Sequence, residues 1–147
     1  MVNTIESTSK LQNLARIILG LFMILAGIGH LSIQLQEFQT QVPDWIPLNK
    51  DLVVILSGII EILLGVAMIF WRGQRIRIGI ALAIFYVLVF PGNIAQYTEH
   101  RDAFGLDTDT KRLIRLFFQP VLILLTLWST GALKQLIGKS PGINNPQ

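Results

Sequence analysis

A single carboxylate lies in the middle of a long apolar stretch of this sequence. Glu61, within SGIIEILLGV, is the only charged residue between Leu52 and Phe70. An ionisable side chain inside a membrane-spanning segment is costly and marks a functional site by default, since it can form hydrogen bonds or exchange protons there. The structural alternative is a tie that fixes the register of neighbouring helices. Burial favours the protonated carboxyl and a nearby cation favours the ionised one, so both charge states stay open.

Further polar side chains occur at the depth of Glu61 in the other apolar stretches. Asn93 continues a stripe with 4-3 spacing in the third stretch that includes Tyr86, and Arg115 and Gln119 share one face of the fourth. Together with Glu61, the candidates for a shared binding pocket are His30, Asn93, Gln96, Arg115 and Gln119. Each has a structural alternative: His30 and Arg115 could extend to the aqueous interface, and Asn93 could serve backbone groups freed by a nearby proline.

The overall composition is unusually apolar. Hydrophobic residues make up 52% of the 147 residues and charged residues 14%, and the mean hydropathy is +0.56. Soluble domains carry about 25% charged residues, and four apolar stretches are each close to the ~20 residues that cross a bilayer. The predicted fold is an all-α membrane protein, a four-transmembrane-helix bundle. It has a cytoplasmic N-terminal tail at 1–13, a membrane domain at 14–133 with spans at 14–35, 52–70, 76–97 and 113–133, and a polar C-terminal tail at 134–147.

The basic residues favour one orientation of these spans. Seven Lys and Arg residues lie on the side that holds both termini, and five lie on the other side, which also carries seven Asp and Glu residues. The positive-inside bias predicts cytoplasmic termini, in the inner membrane if the protein is bacterial. Glu61 would then lie about 14 Å below the outer boundary. The net charge of +3 forms no basic stripe, so nucleic-acid binding is not expected. Without cysteine the chain has no disulfide or thiolate metal site.

An aromatic residue between two prolines marks the loop after the first span. In FQTQVPDWIP, Trp45 lies between Pro43 and Pro47. Prolines stiffen the backbone, and tryptophan rings favour the depth of the lipid headgroups. Trp45 is therefore predicted either to lie across the polar pocket as a cap or to be an ordinary interfacial anchor.

Small residues are predicted to hold the helices together. Gly20 and Gly27 share one face of the first span, and Ser57, Glu61 and Gly65 share one stripe of the second. Helices in lipid associate by packing, and small residues let their backbones approach closely. The sequence thus predicts a bundle whose polar side chains meet in a pocket under its outer rim.

Five segments of the chain occur in a recognisable order. They are LGLFMILAGIGHL, VPDWIP, SGIIEILLG, VFPGNIAQY and FFQPVLILLTLW. In this order they resemble DoxX-like membrane proteins over about residues 14 to 130, although Leu31 stands where an aromatic residue is frequent in that family. The resemblance implies four spans and a recurrent polar set at His30, Glu61, Asn93 and Gln119. Some of those proteins are linked to quinone-coupled sulfur oxidation, others to thiol-stress complexes, and more distant ones to receptor assembly.

Three functional hypotheses follow. The first is a binding or accessory subunit whose outer-leaflet pocket holds a partner helix or a lipid-soluble small molecule, for which the resemblance suggests a quinone. The second is a subunit of a membrane oxidoreductase complex, although the chain has no redox or catalytic motif of its own and two isolated histidines, His30 and His100, are a weak signal for haem ligation. The third is a small proton-coupled transporter, for which four spans are few and no inverted repeat is visible. The expected partners are the bilayer and a membrane protein or a second copy of the chain.

Overall fold

The computed structural model describes residues 7–32 and 34–138, which form helices and no strand. Four of the helices are long and apolar enough to cross a membrane: α1, α3, α4 and α5. The predicted fold class is confirmed. The elements are α1 (Lys10–His30), α2 (Leu35–Thr40), α3 (Lys50–Phe70), a 3₁₀ turn (Arg72–Gln74), α4 (Arg75–Thr98), α5 (Asp109–Thr130) and α6 (Ala132–Gly138).

The helix boundaries differ from the predicted spans mainly in α1 and α5. Helix α1 begins earlier because the side chains of Ser9 and Gln12 form a reciprocal capping box at its start. Helix α5 ends at Thr130 because Gly131 takes a left-handed conformation with φ 81°, which glycine adopts without strain. The chain then continues as α6, within a segment predicted in part as a polar tail. The remainder of the predicted tails, at 1–6 and 139–147, lies outside the described residues, and so does Lys139 of the charge count.

The long helices form a closed ring of neighbours in the order α1, α3, α4, α5. Helices α1 and α3 run antiparallel and approach closely at glycines. A Cβ atom at Gly27 would lie 2.5 Å from the carbonyl oxygen of Gly58, and one at Gly65 would lie 2.6 Å from that of Gly20. We call these four residues the glycine seam. The close packing predicted from small residues is present there.

The bundle has an apolar interior and an apolar surface. Its core includes Met23, Met68 and Leu82, each 1% exposed or less. On the outside, large side chains such as those of Leu25 and Phe117 are 69% and 66% exposed. Soluble monomers rarely expose apolar surface on this scale, whereas lipid chains solvate it. The chain is a membrane protein, as its composition predicts.

The two ends of the bundle differ in what they contain. The loop end holds residues 31–49, which join α1 to α3, and residues 99–108, which join α4 to α5. The terminal end holds the start of α1, the turn between α3 and α4, and α6. The polar residues singled out in the sequence lie toward the loop end.

Candidate functional site

Two ionisable side chains meet inside the bundle at the loop end. Nε2 of His30, the last residue of α1, lies 3.4 Å from Oε2 of Glu61 in α3. Each of the two residues is 8% exposed. Helical periodicity thus brings together the two ionisable groups that the sequence places at a similar depth.

The second ring nitrogen of His30 indicates where the protons lie. Its Nδ1 is 2.8 Å from the Ser57 hydroxyl, and that hydroxyl donates to the Val54 carbonyl at 2.9 Å. The Ser57 hydroxyl donates its proton to the Val54 carbonyl, so its oxygen can only accept from His30. Nδ1 therefore carries a proton and donates it to Ser57. Nε2 is then an acceptor in the neutral ring and a donor only in the charged ring. A hydrogen bond between the two residues would therefore need a proton either on the carboxyl group, facing a neutral imidazole, or on Nε2, facing a carboxylate.

Glu61 has hydrogen-bonding capacity that none of the described residues uses. Its Oε2 is buried and has no hydrogen-bond partner, and the 3.4 Å contact with His30 lies beyond the usual hydrogen-bond range. Buried polar atoms in proteins are nearly always paired with protein groups or ordered water. An exception beside a second ionisable group is a candidate position for a ligand atom.

A second polar group joins α4 to α5 at the same end. The Gln119 side chain donates to the Tyr86 carbonyl at 2.9 Å and accepts from Asn93 at 3.1 Å and from Arg115 at 3.3 Å. Arg115 also interacts electrostatically with Glu61, which connects this group to the His30 pair. We call the residues that meet here the polar core: His30, Ser57, Glu61, Asn93, Arg115 and Gln119.

Gln96 contacts the loops rather than the polar core. Its side-chain oxygen accepts from Gln41 at 2.9 Å, and its amide nitrogen donates to the Ala103 carbonyl at 3.4 Å. With 1% exposure it is fully buried. Of the predicted pocket residues, Gln96 is thus the one that anchors both loop segments to α4.

A phenylalanine covers the polar core, a position for which Trp45 was one of two predicted possibilities. The centroid of the Phe38 ring, in α2, lies 3.4 Å from that of His30, and the Phe104 ring packs on Phe38 at 4.6 Å. Trp45 is instead 71% exposed. The suggestion that Trp45 caps the pocket is corrected: α2 folds back over the end of α1, so Phe38 reaches His30 before the chain arrives at Trp45. The exposed position suits the alternative, an interfacial anchor.

Arg101 fastens the segment that carries Phe38 to the bundle. We call this segment, residues 34–49, the cover. Its guanidinium donates to two backbone carbonyls of the segment 31–49, at 2.9 and 3.0 Å, and to the Asp44 carboxylate at 2.7 Å. A hydrogen bond from Lys50, followed by the charge of Arg101, holds the pKa of the Asp44 carboxyl below its ordinary value. Arg101 and Asp44, whose ion pair helps to hold the cover, lie outside the membrane-spanning helices.

A cleft lies at the opposite end of the bundle from the polar core. It is open, has a volume of about 420 Å³, and is lined in part by Gln12, Trp128 and Lys134. Within residues 7–32 and 34–138, no three His, Asp or Glu side chains are grouped to hold a metal ion. His100 is exposed and contacts Asp109 at 2.7 Å, so the two histidines have separate partners.

Comparison with known proteins gives a family and no activity. A family model described as a domain of unknown function (DUF8561) matches residues 19–130. This range contains every residue of the polar core. No curated protein and no solved structure matches the chain. The resemblance to DoxX-like proteins stays a prediction.

Proposed function

We propose that this chain, which belongs to the family of the domain of unknown function DUF8561, is a membrane-embedded binding protein. Its polar core would hold a small, lipid-soluble molecule that carries hydrogen-bonding groups. The supporting observation is the buried Oε2 of Glu61, which lies 3.4 Å from His30 and has no hydrogen-bond partner in the described part of the chain. A ligand atom beside this pair would supply the missing hydrogen bond.

The groups in the polar core favour a ligand with carbonyl or hydroxyl oxygens. A protonated Glu61 or a charged His30 donates one hydrogen bond, and the guanidinium of Arg115 has several donors. A quinone has two carbonyl oxygens on a small ring and dissolves in the bilayer, so it is the ligand class that we propose. The DoxX resemblance points to the same class. Electrons would come from a partner protein, which makes the chain an accessory subunit of a membrane oxidoreductase in this scheme.

Access to the polar core would require the cover to move. Phe38 lies on His30, and Arg101 holds the segment that carries it. A ligand that enters must displace this ring or pass between helices from the lipid. If both termini are cytoplasmic, as the basic residues favour, the polar core lies in the outer leaflet of the inner membrane of a bacterium.

The interior of the bundle speaks against the transporter alternative. Between the polar core and the terminal end lie Met23, Met68 and Leu82, each 1% exposed or less. A proton or ion pathway through the bilayer needs polar side chains or water along its length. Toward the terminal end the buried polar side chains of α5 are short hydroxyls, those of Thr126, Ser129 and Thr130, and binding at the loop end needs no such pathway.

Ligand binding can be measured by tryptophan fluorescence, because quinones quench it. The full chain, with its three tryptophans, is purified in a neutral detergent and titrated with a short-chain benzoquinone, and saturable quenching is expected. Glu61→Ala removes the unpaired oxygen and should weaken binding about tenfold or more, the effect of losing one strong hydrogen bond.

A buried hydroxyl at the other end of the bundle provides the matched control. Thr126 is fully buried, and its Oγ1 also lacks a hydrogen-bond partner among the described residues. Thr126→Val should leave quinone affinity unchanged. Equal affinities of the wild type and a folded Glu61→Ala protein would refute the assignment of the site.

A further inference from the structure

A buried arginine lies at the terminal end, opposite the polar core. Arg16, in α1, is 1% exposed, and its guanidinium donates to the Ile69 carbonyl in the last turn of α3 at 3.2 Å. Its Nε is buried and has no hydrogen-bond partner among the described residues. A guanidinium has five N–H donors, so capping one carbonyl leaves much of this capacity unused.

The neighbours of Arg16 are cations. Arg72, which follows α3, and Arg75, which begins α4, both repel it electrostatically. Within 7–20, 66–79 and 126–138, the described parts of this end, there is no Asp or Glu. At the loop end, by contrast, Arg101 and Arg112 contact carboxylates. A buried cation is stabilised by an anion, and the described terminal end does not supply one.

The position of the cluster along α1 corresponds to the lipid headgroups. Arg16 is six residues into α1, roughly 9 Å along its axis at ~1.5 Å per residue. Trp71, beside Arg72, is 67% exposed, and tryptophan is enriched at the interface between membrane and water. In a bilayer, this position would bring the guanidinium groups near the depth at which phospholipids carry their phosphates.

We propose that Arg16 and Arg72 form a binding site for a phosphate group, such as that in the headgroup of an anionic lipid. The planar guanidinium fork binds two phosphate oxygens at once, and Nε of Arg16 with a terminal nitrogen can form one side of such a pair. The site is separate from the quinone site proposed above and stands without it.

Lipid binding can be measured on the full chain in neutral detergent by native mass spectrometry and by thermal unfolding. Phosphatidylglycerol should remain bound and raise the unfolding temperature, and phosphatidylcholine should do so at least tenfold less effectively. A parallel titration with inorganic phosphate identifies the source of the anion. Stabilisation by phosphate alone assigns the site to a free anion, and stabilisation by the lipid alone assigns it to a headgroup. Either result supports a phosphate site, and the absence of both overturns it.

Substitutions of two exposed arginines at this end distinguish a specific phosphate site from attraction by the general surface charge. Arg72→Gln and Arg77→Gln each remove one positive charge, but only Arg72 interacts with Arg16. Arg72→Gln should weaken phosphatidylglycerol binding about tenfold and Arg77→Gln less than twofold. Arg16→Lys keeps the charge, loses the fork, and should also weaken binding severalfold. Equal losses in Arg72→Gln and Arg77→Gln would show that only net charge matters and would overturn the proposal.

Discussion

The glycine seam allows a direct test of how closely α1 and α3 must approach. In Gly27→Ala the new Cβ would lie 2.5 Å from the Gly58 carbonyl oxygen and 3.1 Å from the Ile62 nitrogen, whereas ordinary contact begins at 3.4 Å. Because the nearest obstructing atom, the Gly58 carbonyl oxygen, is backbone, the helices must separate locally by about 0.9 Å to restore 3.4 Å. A gap of ~0.5–1 Å loses a quarter to a half of each packing contact across it. Overpacking of this kind costs about 1–3 kcal/mol.

The matched control is another glycine of the same helix. A Cβ at Gly29 would meet the flexible end of the Gln34 side chain at 2.7 Å and the Phe38 ring at 3.5 Å, so its nearest neighbours on other parts of the chain are side-chain atoms. Both substitutions gain a similar helix propensity, about 1 kcal/mol for alanine over glycine, so the difference between them isolates the seam. Reversible unfolding in mixed micelles with increasing dodecyl sulfate should show Gly27→Ala less stable than Gly29→Ala by about 1–3 kcal/mol. Equal stabilities would refute the close approach of α1 and α3.

The remaining predictions concern the cover over the polar core. Basic neighbours hold the pKa of the Asp44 carboxyl low in the folded protein. The ionised carboxylate therefore stabilises the cover at any pH above the pKa that it has in the unfolded chain. This contribution is lost as the pH falls through the lowered pKa of the folded protein. Protection from hydrogen exchange in residues 34–49, relative to the intrinsic rate at each pH, should therefore fall below about pH 4, and Asp44→Asn should reduce this dependence; identical profiles for the two proteins would contradict it. Phe38 is half-buried on His30, so Phe38→Ala should lower stability by about 1–3 kcal/mol and increase modification of His30 by diethyl pyrocarbonate. Trp45→Ala, at an exposed ring, should change neither, and comparable effects of the two substitutions would show that Phe38 is not the covering residue.

The spans and the facing of the polar residues could be predicted because both follow from helical periodicity. Four apolar stretches of sufficient length required four helices, and a spacing of four residues put Ser57 and Glu61 on one stripe. Depth along the helices then placed His30 near Glu61, where the structure has their atoms 3.4 Å apart. Local rules were sufficient wherever a contact depends on the face and depth of a regular helix.

The position of Phe38 over His30 could not be predicted in this way, because it depends on the path of a segment that is not a regular helix. Phe38 belongs to a helix of six residues, and its contact with His30 depends on where this short helix lies relative to the end of α1. Arg101 lies in a loop without periodicity, so nothing in the sequence marked it as the residue that fastens the segment. Arg16 was counted only as a basic residue near the membrane surface. Its burial depends on the end of α3, since its hydrogen-bond partner is 53 residues away.

The contact between His30 and Glu61 depends on the close packing at the glycine seam. A Cβ at Gly58 would lie 2.7 Å from the Cβ of His30, so the ring can reach Glu61 only because this position has no side chain. In lipid there is no hydrophobic force to press helices together, and close packing must hold them. The seam supplies that packing one turn from the buried ionisable pair. Any chemistry at Glu61 therefore depends on glycines that themselves carry no functional group, and substitutions at Gly58 should affect the site more than those at Gly20 or Gly65, farther along the same seam.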